Sequence, residues 1–256
     1  MTVNIGWFSS GRGRGSRAML EHTVSHIRSH TLDCEIQFVF CHREEGEGQG
    51  SDDYLKRVSD LHIPSITISS KRFRENHNDQ FAKYREEFDQ LVFEAIKPYD
   101  VDICVLAGYL LIISPVLLKK GSFINLHPSL PGGPKGLWQE VIWQTIVNKN
   151  YSTGAMTFLV SEELDEGPPL AFAEIPLTGP EFQNDWDLLR LGSIEQIKAS
   201  QGENFSLFQK IRNAQIPLEA PLLTETLRMF ADKKIGIQEI HRASDLPIDL
   251  TGSMQI

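Results

Sequence analysis

Five short apolar runs rich in β-branched or aromatic residues recur through the first half of the chain, at residues 3–8, 35–41, 65–68, 102–106 and 123–126. Segments with helical periodicity separate them, at residues 17–29, 52–61 and 79–97. Strands that alternate with helices build βαβ units, since a parallel neighbour can be reached only by a crossover a dozen or more residues long. The pattern predicts a largely parallel sheet covered by helices on both faces. Ligands of such open sheets bind beyond the carboxyl ends of the strands.

The second half changes style. After a helix at residues 138–148, "TGAMTFLV" (153–160) and "LAFAEIPL" (170–177) read as strands joined by the short connection "SEELDEGPP", which favours antiparallel pairing. Residues 180–202 are polar and give no clear pattern. A helix at residues 217–233, a strand at 235–240 and an irregular tail from Ala243 complete the expectation. The expected fold class is therefore α/β, Rossmann-like, with a mostly parallel sheet and an antiparallel C-terminal excursion.

With 256 residues and 41% hydrophobic content, the chain is large enough for one sizeable core. Its formal charge of −9 argues against a nucleic-acid partner bound through phosphate neutralisation. Cys34, Cys41 and Cys104 are odd in number and widely spaced, which suggests neither a disulfide framework nor a zinc site. No window has the apolar length of a membrane span, and the start "MTVNIGWFSS" lacks a basic region followed by a long apolar stretch. These features fit a cytoplasmic protein with no membrane partner.

Four places carry the residue types of chemistry. In "FINLHPSLPGG", Asn125 and His127 stand two apart where a strand ends, so they share one face and reach into the ligand cleft. An amide that donates and an imidazole that exchanges protons near neutrality suit a developing oxyanion; a hydrogen-bonded pair that merely closes the loop is the plainer alternative. Asp165, in "ELDEGPPL", either caps its own turn or holds the imidazolium of His127, while Glu166 beside it points elsewhere. "SSGRGRGSRAML" joins the first strand to the first helix. It misses the dinucleotide fingerprint, which lowers a dinucleotide oxidoreductase, and it lacks the P-loop lysine, yet its glycines, helix N-terminus and Arg12, Arg14 and Arg17 suit one phosphate. "VLAGYLLIISP" (105–115) is apolar enough to pack a core or to line a flat heterocycle pocket.

At these residues the chain resembles the folate-dependent formyltransferases, most closely those that formylate glycinamide ribonucleotide in purine synthesis. The resemblance covers roughly residues 3–177, with a fainter echo through 217–240. "FINLHPSLP" is similar to the family's Asn-x-His-Pro-Ser segment and "ELDEGPPL" to its Asp loop. "DICVLAGYLLIISPVLL" is similar to its pterin-pocket stretch, and the glycine loop stands where the family holds the substrate phosphate.

The resemblance implies a formyltransferase fold and a single domain over residues 1–256, with an inserted segment near 180–206. It implies a catalytic trio of Asn125, His127 and Asp165, and phosphate binding by Gly13, Arg14, Gly15, Ser16 and Arg17. It implies cofactor binding by Arg85, Tyr109, Leu110, Leu111, Ile112, Ile113 and Gly154, although Arg85 also suits an ion pair with Glu86 or Asp89. The implied donor is 10-formyltetrahydrofolate, the implied acceptor a phosphorylated amine, and no metal is required. A homodimer is compatible with this reading.

Three departures bear on the acceptor. "GRGSR" puts Arg17 where the family has asparagine, with two extra residues upstream. "SLPGGPKG" differs from the usual Ser-Leu-Leu-Pro run. Gln215 falls near a glutamate that the family sets against the substrate ribose. The alternatives are a formyltransferase for another amine such as an amino sugar nucleotide, a formyltetrahydrofolate deformylase, and a catalytically silent nucleotide- or folate-binding protein. "DEG" at residues 165–167 is reminiscent of deformylases, but a first strand at Val3 leaves no room for their N-terminal domain.

Overall fold

The structure is a computed structural model and describes residues 2–163, 165–236 and 246–254. Its first half follows the expected alternation: β1 (Val3–Ser9), α1 (Arg14–Arg28), β2 (Cys34–Cys41), α2 (Gln49–Asp60), β3 (Ser65–Thr67), α3 (Ser70–Asn76), α4 (Arg85–Ile96), β4 (Ile103–Leu106), α5 (Pro115–Leu118) and β5 (Ser122–His127). The second half holds α6 (Trp138–Val147), β6 (Ser152–Leu159), β7 (Pro169–Pro176), α7 (Pro180–Leu191), α8 (Ile194–Gln201), α9 (Ser206–Ala231) and β8 (Ile248–Asp249).

Among the described residues the sheet has eight strands, in the order β3-β2-β1-β4-β5-β6-β7-β8. The strands up to β5 pair in parallel, β6 runs antiparallel to both β5 and β7, and β8 is parallel to β7. Alternation along each strand sends side chains to opposite faces. Ile5, Trp7 and Val39 pack with α1, α2 and α9, while Phe8, Phe38 and Phe40 pack with α4 and α5. The chain leaves β1 toward β2 and later returns to β1's other side as β4. That reversal opens a crevice above the β1–β4 seam, flanked by the loops that follow these two strands. Cys34, Cys41 and Cys104 are free and buried. Burial pushes the thiols of Cys34 and Cys104 up to about 12 and that of Cys41 to about 11, so none is a poised nucleophile.

Four expectations need correction. Helix α1 starts at Arg14, three residues early, because the glycine loop is shorter than its composition suggests. Residues 79–97 are not one helix: Asn78 and Asp79 take left-handed backbone, with φ of 49° and 60°, and α4 begins only at Arg85. The last long helix does not start at Pro217. It starts at Ser206 and carries Pro217 and Pro221 inside it, because Leu207, Phe208 and Ile211 of its first turns are buried in a third core cluster that offsets the lost backbone bonds. The tail contains β8, whose pairing with the edge of β7 local sequence could not announce. The strand expected at 235–240 lies, beyond Gly236, outside the described residues.

Residues 180–206 form α7, α8 and a short 3₁₀ turn. Phe182, Trp186 and Leu189 interlock with Ile142, Trp143 and Ile146 of α6 and Phe208 of α9. The stretch is built into the core beside the sheet.

Candidate active site

A cavity of about 710 Å³ opens at the carboxyl ends of β1, β4 and β5, at the reversal of strand order. Asn125 and His127 both line it, opposite Phe158 and Met156 of β6. The Asn125 Oδ1 accepts from the Leu126 N–H at 2.9 Å. An N–H donor can meet only the amide oxygen, and among the described residues the Asn125 NH₂ has no hydrogen-bond partner.

His127 is 3% exposed. Its Nε2 lies 2.9 Å from the Pro134 carbonyl oxygen, and its Nδ1 lies 4.0 Å from an Asp165 oxygen. One ring nitrogen thus meets a carbonyl oxygen at hydrogen-bond distance, and the other faces a carboxylate at ion-pair distance. Asp165 has φ of +54°, a conformation in which its carboxylate turns inward and accepts from the Gly136 N–H at 3.3 Å. Glu166 turns away, as expected, to Lys135 at 2.7 Å, and that ammonium holds its carboxyl below the usual range. Asn125, His127 and Asp165 therefore meet in one cavity, 40 positions apart at the extremes of the sequence.

The glycine loop is only partly as expected. Gly13, Gly15 and Ser16 line the cavity, and Gly13 opens α1 with no side-chain cap and no acid in the first turn, so the first amides of the helix are left without a partner from those positions. Arg14 and Arg17 do not line it. The Arg17 Nε instead pairs with Glu21 at 3.1 Å, one helical turn on, because side chains at i and i+4 share a face that here points to solvent. Arg12 enters the cavity in their place, with Arg212 and Glu219 of α9. Arg212 lies 4.9 Å over the Trp138 ring and contacts Glu219 at 2.5 Å. Gln215 is buried away from the cavity and donates to Pro128 O and Thr153 Oγ1 at 2.8 and 2.9 Å. Glu219, one turn further on, lines the cavity. Nothing in the local sequence marks Arg212 or Glu219; their i, i+7 spacing on a long helix is the only signal.

The apolar wall gathers Tyr109, Leu110, Leu111, Ile112 and Ile113, all of which line the cavity. Leu110 and Ile112 are each 54% exposed, whereas Tyr109, Leu111 and Ile113 are buried. The wall leaves β4 through Gly108, whose φ of +69° is left-handed and where a β-carbon would stand 2.2 Å from the Ser16 hydroxyl. Arg85 and Gly154 are not in the lining. Arg85 pairs with Asp89 at 3.5 Å on α4, and Gly154 packs in the sheet, where a β-carbon would stand 2.1 Å from Ala173 O.

The cleft is thus lined by the uncapped start of α1, by an apolar wall and by an amide, an imidazole and a carboxylate. A profile described as Formyl transferase matches residues 8–185, more than two thirds of the sequence. The chain belongs to the formyl transferase family. Among its relatives, the phosphoribosylglycinamide formyltransferase of Escherichia coli (strain K12) is 25% identical over 185 residues, 72% of this chain and 77% of that protein. The enzyme of the same name from Dictyostelium discoideum is 28% identical over 187 residues, 69% and 85% respectively. In fold, the chain is similar to glycinamide ribonucleotide transformylase 1 from Symbiobacterium toebii, with a TM-score of 0.65 at 20% identity over 92% of each chain. It is likewise similar to phosphoribosylglycinamide formyltransferase from Campylobacter jejuni, with a TM-score of 0.62 at 24% identity over 89% of this chain and 96% of that one. The mixed sheet with its antiparallel β6 is thus the formyl transferase fold. No helix among the described residues is long and apolar enough to cross a membrane.

Proposed function

We propose that the protein transfers a formyl group from 10-formyltetrahydrofolate to the primary amine of glycinamide ribonucleotide, a step of purine biosynthesis. One observation carries the reading: Asn125, His127 and Asp165 line one cavity together with the apolar residues 109–113, Arg12, Arg212 and the start of α1. Family membership and the names of its relatives support the same chemistry.

On this reading Tyr109–Ile113 take the flat ring system of the donor, and the phosphate of the acceptor lies at Gly13, Gly15 and Ser16 with Arg12 and Arg212. The amine nitrogen attacks the formyl carbon and a C–N bond forms. Charge gathers on the formyl oxygen, where the NH₂ of Asn125 donates to it and protonated His127, its Nε2–H turned from Pro134 O to that oxygen, stabilises it. The bond from carbon to the folate nitrogen then breaks, and the proton lost by the amine passes to that nitrogen with Asp165 and water as the relay. His127 Nδ1 and the Asp165 carboxylate lie 4.0 Å apart, an ion-pair distance at which the carboxylate steadies a charged ring. The helices of residues 180–206 belong to the same catalytic unit, since their aromatic residues share its core.

The test is to mix the protein with 10-formyltetrahydrofolate and follow tetrahydrofolate by absorbance with glycinamide ribonucleotide, with an amino sugar nucleotide and with no amine. Formation that depends on glycinamide ribonucleotide supports the reading. Formation without any amine replaces it by hydrolysis, and none in any arm leaves a silent binder.

A further inference from the structure

The apolar wall is unusual in how it is held. At its start, Ala107 N–H donates to Phe8 O at 2.8 Å, and Gly108 O accepts from both the backbone N–H and the hydroxyl of Ser10, at 3.1 and 2.8 Å. Among the described residues, none of the backbone groups of 109–113 joins a backbone hydrogen bond. The next fixed point is Ser114, whose N–H donates at 2.7 Å to the Asp89 carboxylate, 25 positions back on α4. Asp89 is 0% exposed, and Arg85, one helical turn before it, lies 3.5 Å from its other oxygen. Burial pushes the Asp89 carboxyl up from its usual range, and such a group in a wholly buried place is costly unless it is paired and hydrogen-bonded, so its presence calls for a task.

We propose that Asp89 is a positioning residue for the donor: through Ser114 it fixes the far end of the unbonded span 109–113 and so sets the shape of the wall against which the folate ring lies. Arg85 then serves the donor from behind the wall, as the cation that keeps Asp89 in place. This rests on the proposed formyl transfer. A five-residue span held only at its ends has soft internal angles, and losing one end lets Leu110 and Ile112 drift from the cavity. The acceptor end is built on α1 and α9 and does not depend on this anchor.

The experiment compares KM values for donor and acceptor in the full-length wild type, Asp89→Ala, Asp89→Asn and Ser114→Pro. Asn retains an oxygen that accepts from the Ser114 N–H. Ser114 has φ of −86° and ψ of 164°, values that suit a proline, so Ser114→Pro deletes the N–H while leaving Asp89 and Arg85 paired. Asp89→Ala and Ser114→Pro are expected to raise the donor KM about tenfold and to leave the acceptor KM within about twofold, while Asp89→Asn, which keeps an acceptor for the Ser114 N–H but loses the charge pair with Arg85, falls between wild type and Asp89→Ala in donor KM. If Asp89→Ala is too unstable to assay, Ser114→Pro decides alone. A donor KM that does not move in Ser114→Pro, or that moves together with the acceptor KM, overturns the proposal. Calorimetric binding of tetrahydrofolate separates this from the reading it rests on. Weakened folate binding in Ser114→Pro with no formyl transfer by the wild type would sink formyl transfer and keep the anchor, and no folate binding by the wild type would sink both.

Discussion

The two ends of the cavity are built in opposite ways. The apolar wall comes from five consecutive residues, Tyr109–Ile113, carried on one loop between β4 and α5. The charged end is assembled from Arg12 after β1, the start of α1, and Arg212 and Glu219 of α9, two hundred positions away in the sequence. A contiguous wall works by area and tolerates exchange of one apolar residue for another. An assembled end works by a few charges whose value depends on geometry, and each is hard to replace.

Between the ends stands the trio, and its loss is expected to exceed any loss at either wall. His127→Ala is expected to lower kcat about 10²- to 10³-fold, as removal of one oxyanion donor does, while tetrahydrofolate still binds. Turnover within twofold of wild type would sink the role given to this ring.

Behind the apolar wall, His42 packs edge-on against Tyr109, with its Nδ1 2.9 Å from the Ser70 hydroxyl. Burial, aided by the Arg43 cation, depresses it to about 4. Its unfolded value lies near 6.5, so the unfolded chain takes up the proton first as pH falls. The stability it contributes is full above pH 6.5 and is lost as pH falls from there toward about 4. Urea denaturation is expected to give wild type about 2 kcal/mol less stability at pH 5 than at pH 7, and His42→Gln to remove most of that drop. An unchanged drop in His42→Gln would assign it to other groups.

At the charged end, Arg212→Met is expected to raise the acceptor KM about tenfold in low salt, less in 0.5 M salt, and to leave the donor KM unmoved. At the apolar end, Ile112→Ala is expected to raise the donor KM only about threefold to fivefold, with no dependence on salt. If both variants respond to salt alike, the contrast between the ends fails.

Much of the fold is legible because periodicity is local. The five strands of the first half and the helix-turned-antiparallel excursion follow from which residues alternate and where prolines and glycines interrupt them. The shared face of Asn125 and His127 is legible for the same reason, whereas the apolar run at 105–115 could by itself equally have packed a core. Residues 180–206 are not, because α7 and α8 are mostly polar and are held by Phe182 and Trp186 meeting aromatic partners on α6 and α9. Nor is the start of α9, where packing overrode two prolines. Arg14 and Arg17 stand outside the cavity lining, and composition alone does not say which way a helix's first turn faces.

The sequence by itself determined the order of strands and helices, the turn chemistry and the pairing of an amide with an imidazole at one strand end, since each depends on neighbours within a few residues. Only the tertiary structure decided that Asp165 comes within 4.0 Å of His127, that Arg12 and Arg212 line the cavity while Arg14 and Arg17 do not, and that Asp89 accepts from the Ser114 N–H. Those contacts join segments whose approach is fixed by the packing of the sheet and by single left-handed residues, and no local period carries that information.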